Sequence, residues 1–213
     1  MPQTSVPRFI TLEGIDGAGK STQARLLVAA LERAGASVLL LREPGGVAIS
    51  EMIRAILLDP ANAEMGDTCE LLLYEAARAQ LVHQVIAPAL AAGKTVVCDR
   101  FYDSTTAYQA YADGIDPGKV RRANDLAVDG HHPDLTLVFD IDVDEASERM
   151  AGRGAADRME AKGLAFQRKV AAGYRAIAAA EPARVRLVDA CGSPEEVHAR
   201  VLAEMGLSGG DRS

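Results

Sequence analysis

Five short runs of mostly apolar residues recur along the chain, and each predicts a buried β-strand. Runs of this length, rich in Val, Ile and Leu and without polar alternation, are typical of parallel strands covered on both faces. The runs occupy residues 8–12, 37–41, 95–98, 135–139 and 185–188. Between them, apolar residues recur at helical spacing, and caps, glycines and prolines mark the ends of the segments. The spacing predicts helices over residues 21–34, 49–58, 67–92, 104–111, 117–128, 144–150, 160–180 and 194–205, with a bend near Pro88.

The alternation of strands and helices predicts a single α/β domain over residues 1–213. A five-stranded parallel sheet with helices on both faces follows from this order, with right-handed crossover connections. The chain has 213 residues, of which 48% are hydrophobic, and this is enough for a well-buried core. No internal repeat or linker divides it.

Composition narrows the range of partners. The formal net charge of -7 argues against general binding to nucleic acid. No apolar run approaches the roughly 20 residues that a membrane span needs. Residues 1–7 lack the features of a signal peptide, so we expect no membrane partner. Cys69, Cys98 and Cys191 have no metal-binding spacing, which indicates a reduced, cytoplasmic protein.

A glycine loop joins the first predicted strand to the first predicted helix. Residues 14–21 fit the pattern G-x-x-x-x-G-K-[ST], whose backbone amides cradle phosphates at a helix N-terminus. Lys20 provides a charge for the outer phosphates of a nucleoside triphosphate, and Ser21 offers a hydroxyl to Mg²⁺. The residues expected to bind ATP are Gly14, Ile15, Asp16, Gly17, Ala18, Gly19, Lys20, Ser21 and Thr22.

Charged residues follow the second and third predicted strands. Ligands of such sheets bind beyond the carboxyl ends of the strands, which brings Arg42, Asp99 and Arg100 to the edge that carries the glycine loop. Asp99 is expected to reach Mg²⁺ together with Ser21, and the planar fork of Arg100 suits two phosphate oxygens.

Further arginines are expected to face the same cleft. Tyr74 and Arg78 are one helical turn apart, so they could hold a flat heterocycle by stacking and hydrogen bonding; alternatively, Tyr74 is a core residue and Arg78 a surface charge. Arg54 also lies on a segment that should face the cleft. The arginines at 149, 153 and 158 flank a small-residue stretch and suggest a lid over residues 149–160, although a solvated loop has the same composition.

Two longer motifs are more specific than the glycine loop. One is the turn Arg42-Glu43-Pro44-Gly45-Gly46, and the other is the run Asp-Arg-x-x-x-Ser-x-x-x-Tyr-Gln over residues 99–109. With them, the chain resembles the bacterial thymidylate kinases nearly from end to end. The resemblance implies a three-layer α/β/α P-loop NTPase fold with a short lid. It also implies transfer of a phosphoryl group from ATP to dTMP with Mg²⁺, in the synthesis of dTTP, by a homodimer.

The resemblance also implies roles for individual residues. Asp16 would meet the 3′-hydroxyl region of dTMP, Arg100 would hold its phosphate, Tyr74 would stack on thymine, and Arg78 would bond a thymine carbonyl. The full set of implied dTMP-binding residues is Asp16, Arg42, Pro44, Arg54, Tyr74, Arg78, Arg100, Ser104, Thr105, Tyr108 and Gln109. The implied catalytic residues are Lys20, Arg100, Asp16, Arg153 and Arg158. The glycine loop lacks the arginine that some members carry, so a lid arginine is expected to supply charge in the transition state.

Other functions remain open at the level of sequence. A kinase for another nucleoside monophosphate would use the same parts, and a deoxynucleoside kinase would need a carboxylate base, for which Glu13 or Asp99 could serve. A nucleotide sensor without catalysis would not need so many arginines around the cleft. For a homodimer, an apolar face of Leu71, Leu72 and Val82 is a candidate interface, although burial in the core explains these residues equally well.

Overall fold

The computed structural model describes residues 7–151 and 157–207. Its strands are β1 (Phe9–Glu13), β2 (Val38–Arg42), β3 (Thr95–Asp99), β4 (Leu135–Asp140) and β5 (Val185–Asp189). They form one five-stranded parallel sheet, as predicted, and their order in the sheet is β2-β3-β1-β4-β5. Each strand continues one residue further than the apolar run predicts. The polar residues Glu13, Arg42 and Asp99 are therefore part of the ladder, which fixes their positions at the carboxyl edge.

The helices pack around this sheet close to the predicted segments. They are α1 (Lys20–Arg33), α2 (Ala48–Leu58), α3 (Asp67–Leu81), α4 (Ala87–Ala91), α5 (Tyr102–Thr105), α6 (Pro117–Val128), α7 (Val143–Met150), α8 (Leu164–Ala180) and α9 (Pro194–Glu204). Short 3-10 turns cover Pro60–Asn62 and Glu160–Lys162, and π-helical stretches cover Val82–Ile86 and Thr106–Ala112. No helix within the described ranges is long and apolar enough to cross a lipid bilayer.

The predicted helix over 104–111 becomes π-helical from Thr106, and two other predicted helices are interrupted for local reasons. The segment over 67–92 changes to a π-helix at Val82–Ile86, immediately before Pro88, whose ring and missing N–H disturb the regular ladder. The predicted helix over 160–180 divides at Gly163, where φ is +80°, a left-handed conformation that favours glycine. Only the part after Gly163 is α-helical.

The core covers both faces of the sheet. On one face, a cluster with α3 and the π-helix that follows it includes Phe9, Val96 and Cys98. On the other face, the larger cluster with α1 and α8 includes Ile10 and Leu12. The prediction that every strand is buried on both faces is wrong for β2 and β5, where Leu40 and Leu187 are 40% and 43% exposed. These strands are the two edges of the sheet, and each has a hydrogen-bonded neighbour on one side.

A close approach between α8 and the π-helical stretch Thr106–Ala112 is set by Gly173. A Cβ atom at this position would lie 2.8 Å from Cβ of Tyr111 and 3.3 Å from Cα of Ala107. Contacts at those distances are tighter than side chains tolerate, so a residue without a side chain is what allows the two elements to touch. The next residue, Tyr174, is fully buried between them and the sheet.

A buried ion pair joins α5 to the turn before β5. Arg184 donates from its two terminal nitrogens to the two carboxylate oxygens of Asp103, at 2.7 and 2.8 Å. The carboxylate also accepts from Thr136 on β4, which in turn contacts Thr11 on β1. Since Asp103 is 1% exposed, its charge depends on these donors.

We expect Arg184→Ala to lower the free energy of unfolding by about 3 kcal/mol, because it leaves the Asp103 carboxylate buried without its cation. Urea denaturation measures the change. The matched control is Arg168→Ala, which removes an exposed pair in which one guanidinium nitrogen contacts both carboxylate oxygens of Asp144, and it should cost under about 0.5 kcal/mol. Equal losses in the two variants would contradict the structural role of the buried pair.

Candidate active site

The glycine loop adopts a conformation that glycine makes possible. Gly14, Gly17 and Gly19 all have positive φ angles, and a Cβ atom on Gly17 would lie 2.2 Å from the backbone oxygen of Ala146. The loop delivers the chain into α1, whose N-cap is Gly19 and whose first turn has no side-chain cap. The free amides at this end are therefore available to an anion.

A cavity opens over this loop, and we call it the loop cavity. It is lined by Asp16, Gly17, Gly19, Lys20, Ser21, Thr22, Arg42, Glu43, Arg54, Asp99, Arg100 and Met150. Of the residues expected to bind ATP, Ile15 and Ala18 instead direct their side chains into the core. Their contribution to a phosphate site is therefore limited to the backbone.

Lys20 lies in the wall of the loop cavity and is held by the loop itself. Its Nζ atom donates to the backbone oxygen of Ile15 at 2.8 Å and lies 3.8 Å from Asp16. Burial lowers the pKa of Lys20 to about 8, and the nearby charge of Arg100 adds to the effect. A bound polyphosphate would return a counter-charge to this amine and raise its pKa again.

Ser21 and Asp99 meet on the same wall, as predicted for a metal site. The Ser21 hydroxyl donates to Asp99 Oδ2 at 2.5 Å. A hydroxyl and a carboxylate are hard oxygen ligands that suit Mg²⁺. Within residues 7–151 and 157–207, no group of three or more acidic, His or Cys side chains could hold a metal. Ser21 and Asp99 are the residues of this wall that would hold Mg²⁺.

A second cavity adjoins the first, and we call it the aromatic cavity. It is lined by Asp16, Glu43, Pro44, Arg54, Leu58, Tyr74, Arg78, Arg100, Phe101, Ser104, Thr105, Tyr108, Gln109, Asp157 and Met159. Its charged end touches the loop cavity, because Asp16 and Arg100 line both. The far end carries Tyr74, Thr105 and Gln109, which are suited to a flat polar ring.

Arg100 stands at the boundary between the two cavities. Its Nη2 atom donates to Asp16 at 2.5 Å, and its Nη1 atom donates to the backbone oxygen of Gly14 at 3.0 Å. The guanidinium lies over the ring of Tyr108, with 5.4 Å between its carbon and the ring centroid. Burial opposes ionisation of Asp16, but the charges of Arg100 and Lys20 hold the pKa of that carboxyl below its usual value.

Arg78 is buried, so the alternative that it is a surface charge is wrong. Its Nε atom donates to Glu43 at 2.8 Å, and Nη1 donates to Glu75 at 2.5 Å and to Thr105 at 3.0 Å. Nη2 makes no hydrogen bond to any residue that the structure describes. Tyr74 is half-buried and lines the aromatic cavity beside it. The pair therefore offers a ring and a donor to the same space.

Comparisons with known proteins agree with this geometry. The family model described as thymidylate kinase matches residues 12–201. The thymidylate kinase of Solidesulfovibrio magneticus is 48% identical over 205 residues, which cover 93% of this chain and 98% of the relative. That of Pelotomaculum thermopropionicum is 49% identical over 196 residues, which cover 92% and 91%. A crystal structure of thymidylate kinase from Ehrlichia chaffeensis has a TM-score of 0.74 at 34% identity, and the match covers 92% and 97% of the two chains.

The chain belongs to the thymidylate kinase family. The fold inferred from the resemblance, a P-loop α/β/α domain, is confirmed by the parallel sheet and by the solved relative. The dTMP-binding residues implied by membership converge, because all of them except Arg42 line the aromatic cavity. Arg42 lines the loop cavity and pairs with Glu51, and both Arg42 and Arg54 donate to the backbone oxygen of Pro44.

The three arginines predicted for a thymidylate kinase lid have different surroundings. Arg149 donates to Glu145 at 2.6 Å and to the backbone oxygen of Ala190 at 3.2 Å. Arg153 lies outside the described residues. Arg158 is buried and lines neither cavity, and it bonds the backbone oxygen of Leu57 and the carboxylate of Glu70 at 2.7 and 2.6 Å. Its neighbours are therefore on α2 and α3 rather than on the glycine loop.

Sequence reasoning missed several residues around the cleft. The buried carboxylate of Glu70 contacts Arg158, Lys162 and Gln109, and Gln109 lines the aromatic cavity. Its position one helical turn before Tyr74 was the available signal. Glu43 is also buried against Arg78, and burial raises the pKa of its carboxyl to about 7. Asp157 and Met159, on either side of Arg158, were not predicted as site residues, and both line the aromatic cavity.

We expect the affinity of the protein for a non-hydrolysable ATP analogue to fall above pH 8. Lys20 is protonated below this pH and attracts the phosphates, whereas above it the free protein must take up a proton to bind. Calorimetry should show roughly tenfold weaker binding at pH 9 than at pH 7. Lys20→Ala should bind the analogue weakly at both pH values, with no further loss of affinity at pH 9. A loss of the same size in that variant would show that another group causes the pH dependence.

Proposed function

We propose that the protein transfers the γ-phosphoryl group of ATP to dTMP, giving ADP and dTDP. The observation that carries the proposal is the shared wall of the two cavities, at Asp16 and Arg100. A donor polyphosphate over the glycine loop and an acceptor phosphate at Arg100 would then face each other. Membership of the thymidylate kinase family supports the identity of the two nucleotides.

The loop cavity would hold the donor. Loop amides and Lys20 would bind the β- and γ-phosphates, and Ser21 with Asp99 would hold Mg²⁺. A metal ion held by these two residues would supply positive charge that neutralises part of the charge on the phosphates. The protein contributes fixed positive groups that need not reorganise during the reaction.

The aromatic cavity would hold dTMP. Arg100 would bind its phosphate, Asp16 the 3′-hydroxyl region, and Tyr74 would stack on the base. Arg78 lines this cavity, and its Nη2 atom has no hydrogen-bond partner among the described residues, which supports a bond to a thymine carbonyl. Thr105 and Gln109 would border the other edge of the base.

The reaction requires alignment rather than a general base, because the acceptor phosphate oxygen is already ionised at neutral pH. Arg153 and Arg158 are predicted to add charge at the transferred phosphoryl group. To do so, Arg158 would have to leave its buried pair with Glu70, whereas Arg149 stands beside the loop after β5.

The alternatives are less well supported. A deoxynucleoside kinase would need a free carboxylate base, but both oxygens of Glu13 accept hydrogen bonds and Asp99 accepts one from Ser21. A nucleotide sensor would have no use for a second charged cavity beside the loop. A kinase for another monophosphate differs only in the base, so substrate comparison decides it.

We expect ADP formation with ATP and Mg²⁺ to depend on dTMP in a coupled steady-state assay. Rates with dUMP, dCMP, dGMP and thymidine should be lower, because membership of the family favours dTMP and thymidine lacks the phosphate that Arg100 would bind. Lys20→Ala should reduce turnover by at least about a hundredfold, with the folded state intact by circular dichroism. Turnover with thymidine but not with dTMP would overturn the proposal.

We also propose that the protein works as a homodimer. Leu71 and Val82 from the predicted apolar face are core residues, and only Leu72 of the three is exposed. A stronger candidate is α2, where Ile49, Met52 and Ile56 are 47%, 63% and 47% exposed on one face. A second copy of the same helix could cover this stripe.

Met52→Glu is expected to shift sedimentation from twice the chain mass of 22.5 kDa towards the monomer, since a charge would enter the apolar contact. Leu187→Glu, at an exposed apolar position on the edge strand β5, is the control and should leave the mass unchanged. A monomeric wild-type protein at micromolar concentration would refute the dimer.

We infer that the protein acts in the cytoplasm, where both nucleotides are available. Its three cysteines are all unpaired, and one of them, Cys98, is buried in β3. Free thiols are the usual state in a reducing compartment.

A further inference from the structure

Glu13 is a buried carboxylate at the end of β1 that the proposed function does not use. It is fully buried, and among the described residues it forms no direct ion pair with a Lys or Arg side chain. A buried carboxylate is costly unless donors surround it, so the groups that solvate this one have a specific task.

Three donors from two distant parts of the chain converge on Glu13. The amide of Phe101 donates to Oε1 at 2.7 Å. The hydroxyls of Ser104 and Tyr174 donate to Oε2 at 2.6 and 2.9 Å. Tyr174 belongs to α8 and lines neither cavity, although it is one of the largest fully buried side chains.

The same two hydroxyls also face Arg100. Its Nη1 atom donates to Ser104 Oγ at 3.1 Å and to Tyr174 Oη at 3.3 Å. Each hydroxyl has one hydrogen and can accept as well as donate. An acceptor-only carboxylate on one side and a donor-only guanidinium on the other favour one direction, in which the hydroxyls donate to Glu13 and accept from Arg100. The two hydroxyl oxygens also lie 2.8 Å apart, and a hydrogen given to that contact is lost to Glu13. Glu13 thereby turns two neutral hydroxyls into acceptors for Arg100.

Glu13 also holds the backbone of Arg100. This residue has φ of +71°, in the left-handed region that a non-glycine residue rarely adopts. Such a conformation persists when surrounding contacts determine it. The amide of Arg100 donates to Leu12 O at 2.9 Å, and the amide of the next residue, Phe101, is the one bonded to Glu13. Leu12 and Glu13 of β1 thus bond the amides of Arg100 and of the residue that follows it.

We propose that Glu13 is a positioning residue for the acceptor phosphate, acting on Arg100 through Ser104, Tyr174 and the Phe101 amide. The inference rests on the proposed function, in which Arg100 binds the phosphate of dTMP. Loss of the carboxylate or of the Tyr174 hydroxyl removes one set of contacts that orients the guanidinium and leaves the bonds to Asp16 and Gly14. The acceptor site then weakens, while the loop cavity keeps its own ligands.

The surroundings of Glu13 make this arrangement sensitive to pH. Burial raises the pKa of Glu13 to about 7, the charge of Asp103 adds to this, and Ser104, Arg100 and the Phe101 amide oppose it. The other charged or titratable groups that act on it or are acted on by it are Lys20, Glu43, Cys98 and Tyr174. A protonated Glu13 becomes a donor, so one hydroxyl must accept from it and the favoured direction is lost.

The test compares Tyr174→Phe and Glu13→Gln with the wild-type protein. Tyr174→Phe keeps the buried ring and removes one hydroxyl that touches neither cavity. Both variants should raise KM and the calorimetric Kd for dTMP about tenfold, the usual effect of losing a bond to a charged group. KM for ATP should change less than twofold. The matched control is Thr11→Val, which removes a buried hydroxyl from the same strand, two residues before Glu13, and should leave both KM values unchanged.

The pH profile separates positioning from plain stability. Below pH 7, KM for dTMP should rise more steeply in the wild-type protein than in Glu13→Gln. Protonation of the dTMP phosphate affects both proteins, whereas protonation of residue 13 is possible only in the wild type. Parallel profiles, unchanged dTMP affinity in Tyr174→Phe, or an equal loss of ATP and dTMP affinity would overturn the inference. If Glu13→Gln does not fold, Tyr174→Phe alone decides. A wild-type protein that neither binds nor phosphorylates dTMP would instead overturn the proposed function.

Discussion

The pairing of β1 with β3 is the constraint on which the site depends. Leu12 stands opposite Asp99, and the amide of Arg100 continues the ladder to the backbone oxygen of Leu12. Since the glycine loop leaves from the end of β1, this register places its lysine, the Ser21–Asp99 pair and Arg100 along one edge. A shift by one residue would turn Asp99 to the opposite face of the sheet and separate it from Ser21.

Charge is balanced locally around the cleft, although the chain as a whole is acidic. Arg42, Arg78, Arg100 and Arg158 are each paired with a carboxylate, and Arg78 is paired with two. Such pairs keep the guanidinium groups in place before any ligand arrives, at the cost of competition between carboxylate and phosphate. The pair between Arg100 and Asp16 lies where both nucleotides are proposed to meet, so binding there exchanges one anion for another.

The sequence predicted those parts of the fold and site whose signals are local. Apolar runs located all five strands, and the glycine pattern located the loop because its spacing alone specifies the turn. The partial exposure of β2 depends on its place at the sheet edge, which no run of five residues contains. The surroundings of Arg158 and Glu13 depend on partners 88 and 161 residues away, Glu70 and Tyr174. Helical spacing placed Tyr74 and Arg78 together correctly, but it could not determine that Arg78 is buried.

Gly173 connects helix packing to the chemistry of the cleft. Its missing side chain lets α8 rest directly on the stretch that carries Tyr108 and Gln109, and Tyr174 extends from that contact to the hydroxyl of Ser104 at 2.8 Å. A methyl group at position 173 would push α8 away from this stretch and lengthen the contact between Tyr174 and Ser104. The orientation of Arg100, which donates to Tyr174, therefore depends on how closely the backbone of α8 approaches the stretch Thr106–Ala112.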